Sequence, residues 1–339
     1  YFKMVKYTLL PGNQGSILKI ELEQSEFGSI GLGIHFDSDY KAGLLITSRF
    51  KNVLFKNVQL STTLGLSENP HLSFKLYQDR GLLPSLALSG KWTSFSFIDY
   101  LGGKDKIGEY RLSNLVFDLY LQSVNKQALA FGGGFQIELS GLRNNVGIDF
   151  GVDDSRYSQN YFNFFAFMKL DKWDHSFFPH SGGKVDIRAV FVTKLLVGGN
   201  LNLGEKATVL FGEYDKAIPL SKRWTLRPKA YVGLTFGEGI YISQLFIIGG
   251  QGSHYLPGMI SFTGLDVAQL ADRQVVGGRL RLQYRIFNKH YLLSTIDFAN
   301  VKYNKSELLD FGNGAIGYGL TWGYDSFIGT VELSFMGSN

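Results

Sequence analysis

The chain has 339 residues, 45% hydrophobic and 19% charged, with 28 Phe, 18 Tyr, 41 Gly, only 7 Pro and no Cys. The lack of cysteine excludes disulfides, thiolate metal centres and cysteine nucleophiles, and no apolar run approaches the ~18–20 residues of a transmembrane helix. The net charge of +5 is carried by singly spaced Lys and Arg. That spacing argues against a nucleic-acid partner and leaves two readings, charged loops with a charged lumen or attraction to an anionic lipid leaflet.

In chain order, residues 1–24 differ from the rest: Pro11–Gly15 reads as a turn and Ile17–Glu23 as a short edge-type strand. The start at Tyr1, without a signal-type segment, is read as a processed or trimmed end. From Gly28 onward alternation predicts strands near 29–39, 41–50, 56–68, 71–79, 84–98, 109–123, 127–141, 160–173, 183–194, 205–217, 223–236, 274–287, 290–302, 314–324 and 326–336. Tight turns are expected at Ser38-Asp39, Glu68-Asn69-Pro70, Asn288-Lys289 and Asp325-Ser326. Helical periodicity is nearly absent, the clearest candidate being Asp266–Arg273.

The alternation has one bulky apolar wall and one small or polar wall. In 128–140, Leu129, Phe131, Phe135, Ile137 and Leu139 oppose Gln136, Glu138 and Ser140. In 275–286, Val276, Leu280, Leu282, Tyr284 and Ile286 oppose Arg279, Arg281, Gln283 and Arg285. Three arginines on one face of one strand are costly in a dry core and tolerable beside water. Oil on one face and charge on the other, repeated along the chain, describes a membrane β-barrel. Fifteen strands is an odd count, whereas single-chain bacterial barrels use an even one. The expectation is therefore an all-β transmembrane antiparallel barrel of sixteen strands, its last strand beyond Asn339.

The interruption at 237–273 is long for a loop without function. It is also too apolar to lie solvated outside, because Phe246, Ile247, Ile248, Met259, Ile260, Phe262 and Leu265 favour burial. A lid folded into the lumen satisfies both facts, with Leu256-Pro257-Gly258 at its tip near strand 274–287.

The phrases Ile247-Ile248-Gly249-Gly250, Leu256-Pro257-Gly258, the arginine-rich strand 275–286 and Thr295–Val301 resemble the outer-membrane assembly and transport superfamily. So does Phe178-Pro179-His180-Ser181-Gly182-Gly183, which is similar to the turn that opens a mid-barrel strand there. The resemblance covers roughly residues 25–339 and implies periplasmic POTRA domains followed by a sixteen-stranded barrel, so residues 1–24 would end the last POTRA-like domain. Within that superfamily, the stretch from Tyr255 through Val301 resembles most the barrels fused to patatin-like phospholipases of Bacteroidota-type bacteria, Ser261-Phe262-Thr263-Gly264-Leu265 being similar to a phrase of their lid loop. The family's lid carries an Arg-Gly pair whose arginine reaches an acid on a nearby strand. Here Asp297 matches the acid and Gly258 the glycine, but Pro257 stands at the arginine position. Either Arg279, Arg281 or Arg285 answers Asp297, or these are solvated lumen charges without specific pairing.

Catalytic motifs are missing. A patatin-type lipase needs a Gly-x-Ser-x-Gly elbow, and none occurs in this chain, so hydrolase chemistry would lie upstream of Tyr1. His175 and His180 fall on opposite faces of an extended segment, which disfavours zinc. Asp153-Asp154 and Asp37-Ser38-Asp39 are explained by turn chemistry more simply than by calcium. Gly132-Gly133-Gly134 has no following helix and is no phosphate loop.

The reading is a non-enzymatic translocator or anchor for an upstream patatin-like domain, in the bacterial outer membrane with a periplasmic N-terminus. No cofactor and no metal are expected. The expected partners are outer-membrane lipids including lipopolysaccharide, and an upstream domain or periplasmic polypeptide, with the barrel a monomer or homodimer. The alternative is a passive diffusion porin constricted by the long loop.

Overall fold

The structure is a computed structural model that describes residues 2–12, 15–24, 27–37, 41–81, 83–101, 105–125, 128–146, 156–194, 206–237, 241–251, 256, 258–310, 312, 314–326 and 329–339. Two strands, β1 (Phe2–Gly12) and β2 (Gly15–Gln24), form a separate antiparallel hairpin. The sequence pattern signalled only the second of these. The expected turn at Ser38-Asp39 lies outside the described residues.

Fifteen strands make the main sheet. They are β3 (Gly28–Asp37), β4 (Lys41–Lys51), β5 (Val58–Leu66), β6 (His71–Gln78), β7 (Ser85–Leu101), β8 (Asp105–Asn125), β9 (Leu129–Val146), β10 (Arg156–Asp171), β11 (Gly182–Lys194), β12 (Ala207–Pro219) and β13 (Trp224–Gly237). They continue with β17 (Gln274–Phe287), β18 (His290–Lys302), β19 (Ala315–Ser326) and β20 (Gly329–Ser338). Each pairs antiparallel with its neighbours, β3 and β20 end the order, and the sheet curls into a nearly closed barrel. All fifteen predicted strands are present, because two-residue alternation is a local property of a sheet with unlike faces.

The faces follow the alternation. Phe135 is 47% exposed on the outer wall, while Gln136, next in sequence, is 4% exposed in the lumen. One end of the barrel has short connections, such as 220–223 and 288–289, with Lys289 at φ 66°. The other end carries the lid.

The lid lies between β13 and β17. Its strands β14 (Phe246–Ile248), β15 (Met259–Ile260) and β16 (Leu270–Asp272) form a small sheet, β14 central, parallel to β15 and antiparallel to β16. A 3-10 turn at Ile242–Gln244 precedes it, and a second lies at Lys305–Glu307. The helical expectation for Asp266–Arg273 is corrected: Leu270–Asp272 pairs with Phe246–Ile248, and a segment this short takes its structure from a neighbouring strand rather than its own propensity.

Candidate functional site: a lid pinned in the lumen

The lid sheet stands as a septum between opposite walls, and alternation along β14 divides its contacts. Phe246 and Ile248 pack with Ile260, Phe262 and Leu265 against Tyr231, Val275 and Ala299 of β13, β17 and β18. Ile247 packs with Leu256, Met259 and Ala268 against Phe95, Leu112, Tyr161, Phe165 and Val190 on the other side. Ile248 and Phe262 are fully buried. Backbone groups are satisfied within the lid, Ile247 N–H donating to Gly258 C=O (3.0 Å) and Phe262 N–H to Gly250 C=O (2.9 Å). Irregular backbone inside a membrane protein is tolerated where protein covers it.

One ion pair fastens this septum to the wall. Arg279 and Asp297 are register partners on β17 and β18. Arg279 Nε donates to Asp297 Oδ1 (2.6 Å) and Nη2 to Oδ2 (2.7 Å), a two-point fork. Each partner then takes one backbone group of the lid. Arg279 Nη2 donates to Ser261 C=O (3.1 Å), and Thr263 N–H donates to Asp297 Oδ2 (2.7 Å). Gln251 Nε2 donates to Thr263 Oγ1 (3.0 Å).

Two glycines permit close approach. Gly264 has φ 88° and lies against the Gly337 backbone, with Ser338 Oγ donating to its carbonyl (2.9 Å). Gly317 leaves no room for a Cβ, which would run into the Thr263 carbonyl.

The other predicted site residues are distributed differently. Arg281 Nε donates to Thr295 Oγ1 (3.1 Å), and Arg285 lies exposed at the short-turn end with Nη2 on the Lys222 carbonyl (2.8 Å). Neither answers Asp297. Pro257 lies outside the described residues. The segment that meets strand 274–287 is Ser261–Thr263, whereas Leu256 packs into the cluster on the other side and Gly258 approaches the backbone of Leu245 and Phe246. The expected position of the tip beside β17 is corrected accordingly, because β15 runs parallel to β14 and carries the chain onward before it reaches Arg279.

Phe178, Pro179 and Gly182 open β11, and their turn reaches across the barrel at the short-turn end. Phe178 (φ 46°) is buried and stacks on Tyr291 of β18 at 4.4 Å between centroids. Gln283 Nε2 of β17 donates to the carbonyls of Phe178 and Pro179 (both 3.3 Å), and His180 Nδ1 lies 2.6 Å from Thr225 Oγ1. Burial alone would raise the Asp174 carboxyl, but hydrogen bonds from the Ser181 and His180 backbone, with His175 nearby, hold it below the usual carboxylate range. Strand β17 thus holds the lid at Arg279 and this turn at Gln283.

Several contacts between lumen groups are not legible in the sequence. Arg227 pairs with Asp215 (3.5 Å) and Lys229 with Glu213 (2.8 Å) across β12 and β13. Ser89, Asp118, Gln136, Asn163 and Glu138 form a hydrogen-bonded row over four strands. Gln136, Glu138 and Asn163 of that row line a partly open pocket together with Arg188, Ser243 and Phe246 of wall and lid. Each has the correct inward parity, but only the strand register makes them neighbours. Among the described residues no three His, Cys, Asp or Glu converge as a metal site. The arrangement holds an irregular loop against the barrel wall through hydrogen bonds from a wall ion pair to lid backbone.

An outer-membrane β-barrel with an inward lid clamped by a wall ion pair is the class of protein this geometry defines. The chain belongs to the OMP85 superfamily, whose sequence model matches residues 17–338. Its fold is similar to BamA from Haemophilus ducreyi lacking POTRA domains 1–3, at TM-score 0.72 and 14% identity over 99% of this chain and 72% of that one. It is also similar to CdiB from Acinetobacter baumannii (TM-score 0.60, 12% identity, 100% of this chain and 66% of that one). CdiB from Escherichia coli gives TM-score 0.59 and 12% identity over 98% of this chain and 63% of that one. The chain therefore spans just under two thirds of each CdiB relative. No curated protein matches the sequence.

Proposed function

We propose that this chain is the membrane-embedded barrel of a larger POTRA-barrel protein, serving as translocator or anchor for a joined patatin-like domain or a periplasmic polypeptide. The observation that carries this reading is the lid clamp. A septum fastened by Arg279 and Asp297 at Ser261 and Thr263 closes the lumen reversibly, which suits gated passage better than steady diffusion. The superfamily match and a relative described by its POTRA domains support the same reading. In it, the short-turn end and residues 1–24 face the periplasm and the lid end faces outward, since short turns mark the periplasmic side of such barrels. Hydrolase chemistry belongs to the joined domain.

Single-channel recording in planar bilayers tests this. The intact barrel is expected to be nearly silent, and deletion of residues 251–263 to produce conducting events. Steady conduction by the intact barrel, unchanged by the deletion, would establish a passive porin instead.

A further inference from the structure

The register of β8, β9 and β10 places an unusual row on the outer wall. Moving toward the lid end, the outward rows read Leu119–Phe135–Phe164, Phe117–Ile137–Phe162, Leu115–Leu139–Asn160, Ser113–Gly141–Ser158 and finally Arg111–Arg143–Arg156. The first rows are an aromatic and aliphatic band, with Phe135, Phe162 and Phe164 in mutual ring contact at 5.3–5.8 Å. The fourth row is small and polar, and the space over Gly141 is open, with no atom within 4 Å of a Cβ placed there. The last row sets three arginines at consecutive register positions.

Directly opposed cross-strand residues lie ~4.5–5.5 Å apart, where like charges destabilise a sheet. Sequence neighbours confirm the outward face: Tyr110, Leu112 and Leu142 pack inside, while Arg143 is exposed. Among the described residues neither Arg111 nor Arg143 forms an ion pair, and the nearby Glu109 carboxylate accepts from Asn145 Nδ2 (3.2 Å). The row lies four residues beyond Leu139, about 13 Å along the strand. With strands tilted about 45°, that is roughly 9 Å above the last apolar row, at headgroup depth.

We infer that Arg111 and Arg143, on the row that also carries position 156 in register, form a binding site for the phosphates of a lipid headgroup in the leaflet at the lid end. The acyl chains would lie along the Phe117–Phe135–Phe162 band, and Ser113, Gly141 and Ser158 would leave room for the headgroup between band and arginines. A guanidinium presents a planar fork that matches phosphate oxygens, and an anion between the Arg111 and Arg143 groups relieves their mutual repulsion. The site rests on the outer-membrane reading only for which leaflet it meets.

The test uses the full chain in detergent, with bis-phosphorylated lipid A as probe, measured by native mass spectrometry and by thermal unfolding. Wild type is expected to retain lipid A and to unfold at higher temperature with it. The same lipid stripped of its phosphates, and inorganic phosphate alone, should give neither effect. An R111Q/R143Q variant should bind about tenfold more weakly or worse, while K216Q, on β12 at the other end, should bind as wild type. Equal retention of phosphorylated and dephosphorylated lipid, or unchanged binding by R111Q/R143Q, overturns the site. Should the double variant fail to fold, the phosphate comparison on wild type decides alone. Because detergent binding is blind to orientation, failure here leaves the lid reading standing, and failure of the lid reading leaves this result intact.

Discussion

Arg279 and Asp297 face each other across β17 and β18, and between them they hold one carbonyl and one N–H of the lid, at Ser261 and Thr263. The wall supplies both charges and the lid only backbone. A lid without its own charged anchor can still be clamped, because a guanidinium has donors to spare after a two-point carboxylate contact and a carboxylate has spare lone pairs.

Removing one partner of this pair leaves a buried charge uncompensated. Arg279→Ala or Asp297→Asn should cost on the order of 3–5 kcal/mol, read as a lower unfolding temperature in heat-modifiability gels, together with lid opening in single-channel records. The double variant should cost much less than the sum of the singles. Additive losses would show that the two side chains do not act together.

Lipid exposure of the outer wall gives a second expectation. Phe135→Arg should destabilise the barrel by about 2–4 kcal/mol if the residue sits near the midplane, measured by denaturant titration in vesicles. A negligible change would place Phe135 outside the hydrocarbon.

The turn that carries Phe178 should behave as a second constriction. Phe178→Ala removes the stack on Tyr291, and a buried Phe→Ala change typically costs about 3–5 kcal/mol. Alone it should leave the barrel silent, since the lid remains. Combined with deletion of 251–263 it should raise conductance above that of the deletion alone.

The same turn has a predictable pH dependence. Asp174 is held below its ordinary value of 3.8, so its contribution is complete above that value and is lost as pH falls through the lower, folded-state value. Hydrogen exchange of residues 172–181 should therefore quicken in acid below about pH 4, relative to the intrinsic rate. Asp174→Asn should show the faster exchange already at neutral pH and lose the acid step.

Purified chain should not cleave phospholipid or ester substrates, because no serine sits in a Gly-x-Ser-x-Gly elbow. Turnover that disappears on mutating one of its serines would contradict this.

The fifteen strands, their lipid-facing and lumen-facing walls, and the need to cover the apolar stretch 245–265 are all legible in the order of residues. Period-two patterning and side-chain polarity are local properties, readable without knowing which strand lies beside which. Arg279, Arg281 and Arg285 share one face and one chemistry, so nothing local distinguishes the one that meets Asp297. Pairing in register set Arg279 opposite Asp297, gave Thr295 to Arg281 and left Arg285 at the rim. The lid's contact at 261–263 rather than at 256–258, the inward fold of the Phe178 turn and the arginine row on β8–β10 likewise depend on which residues lie opposite across strands. A one-residue slip of register would send every side chain of a strand to the other face. Those neighbours are set by strand pairing and packing over the whole sheet, which no local stretch of residues encodes.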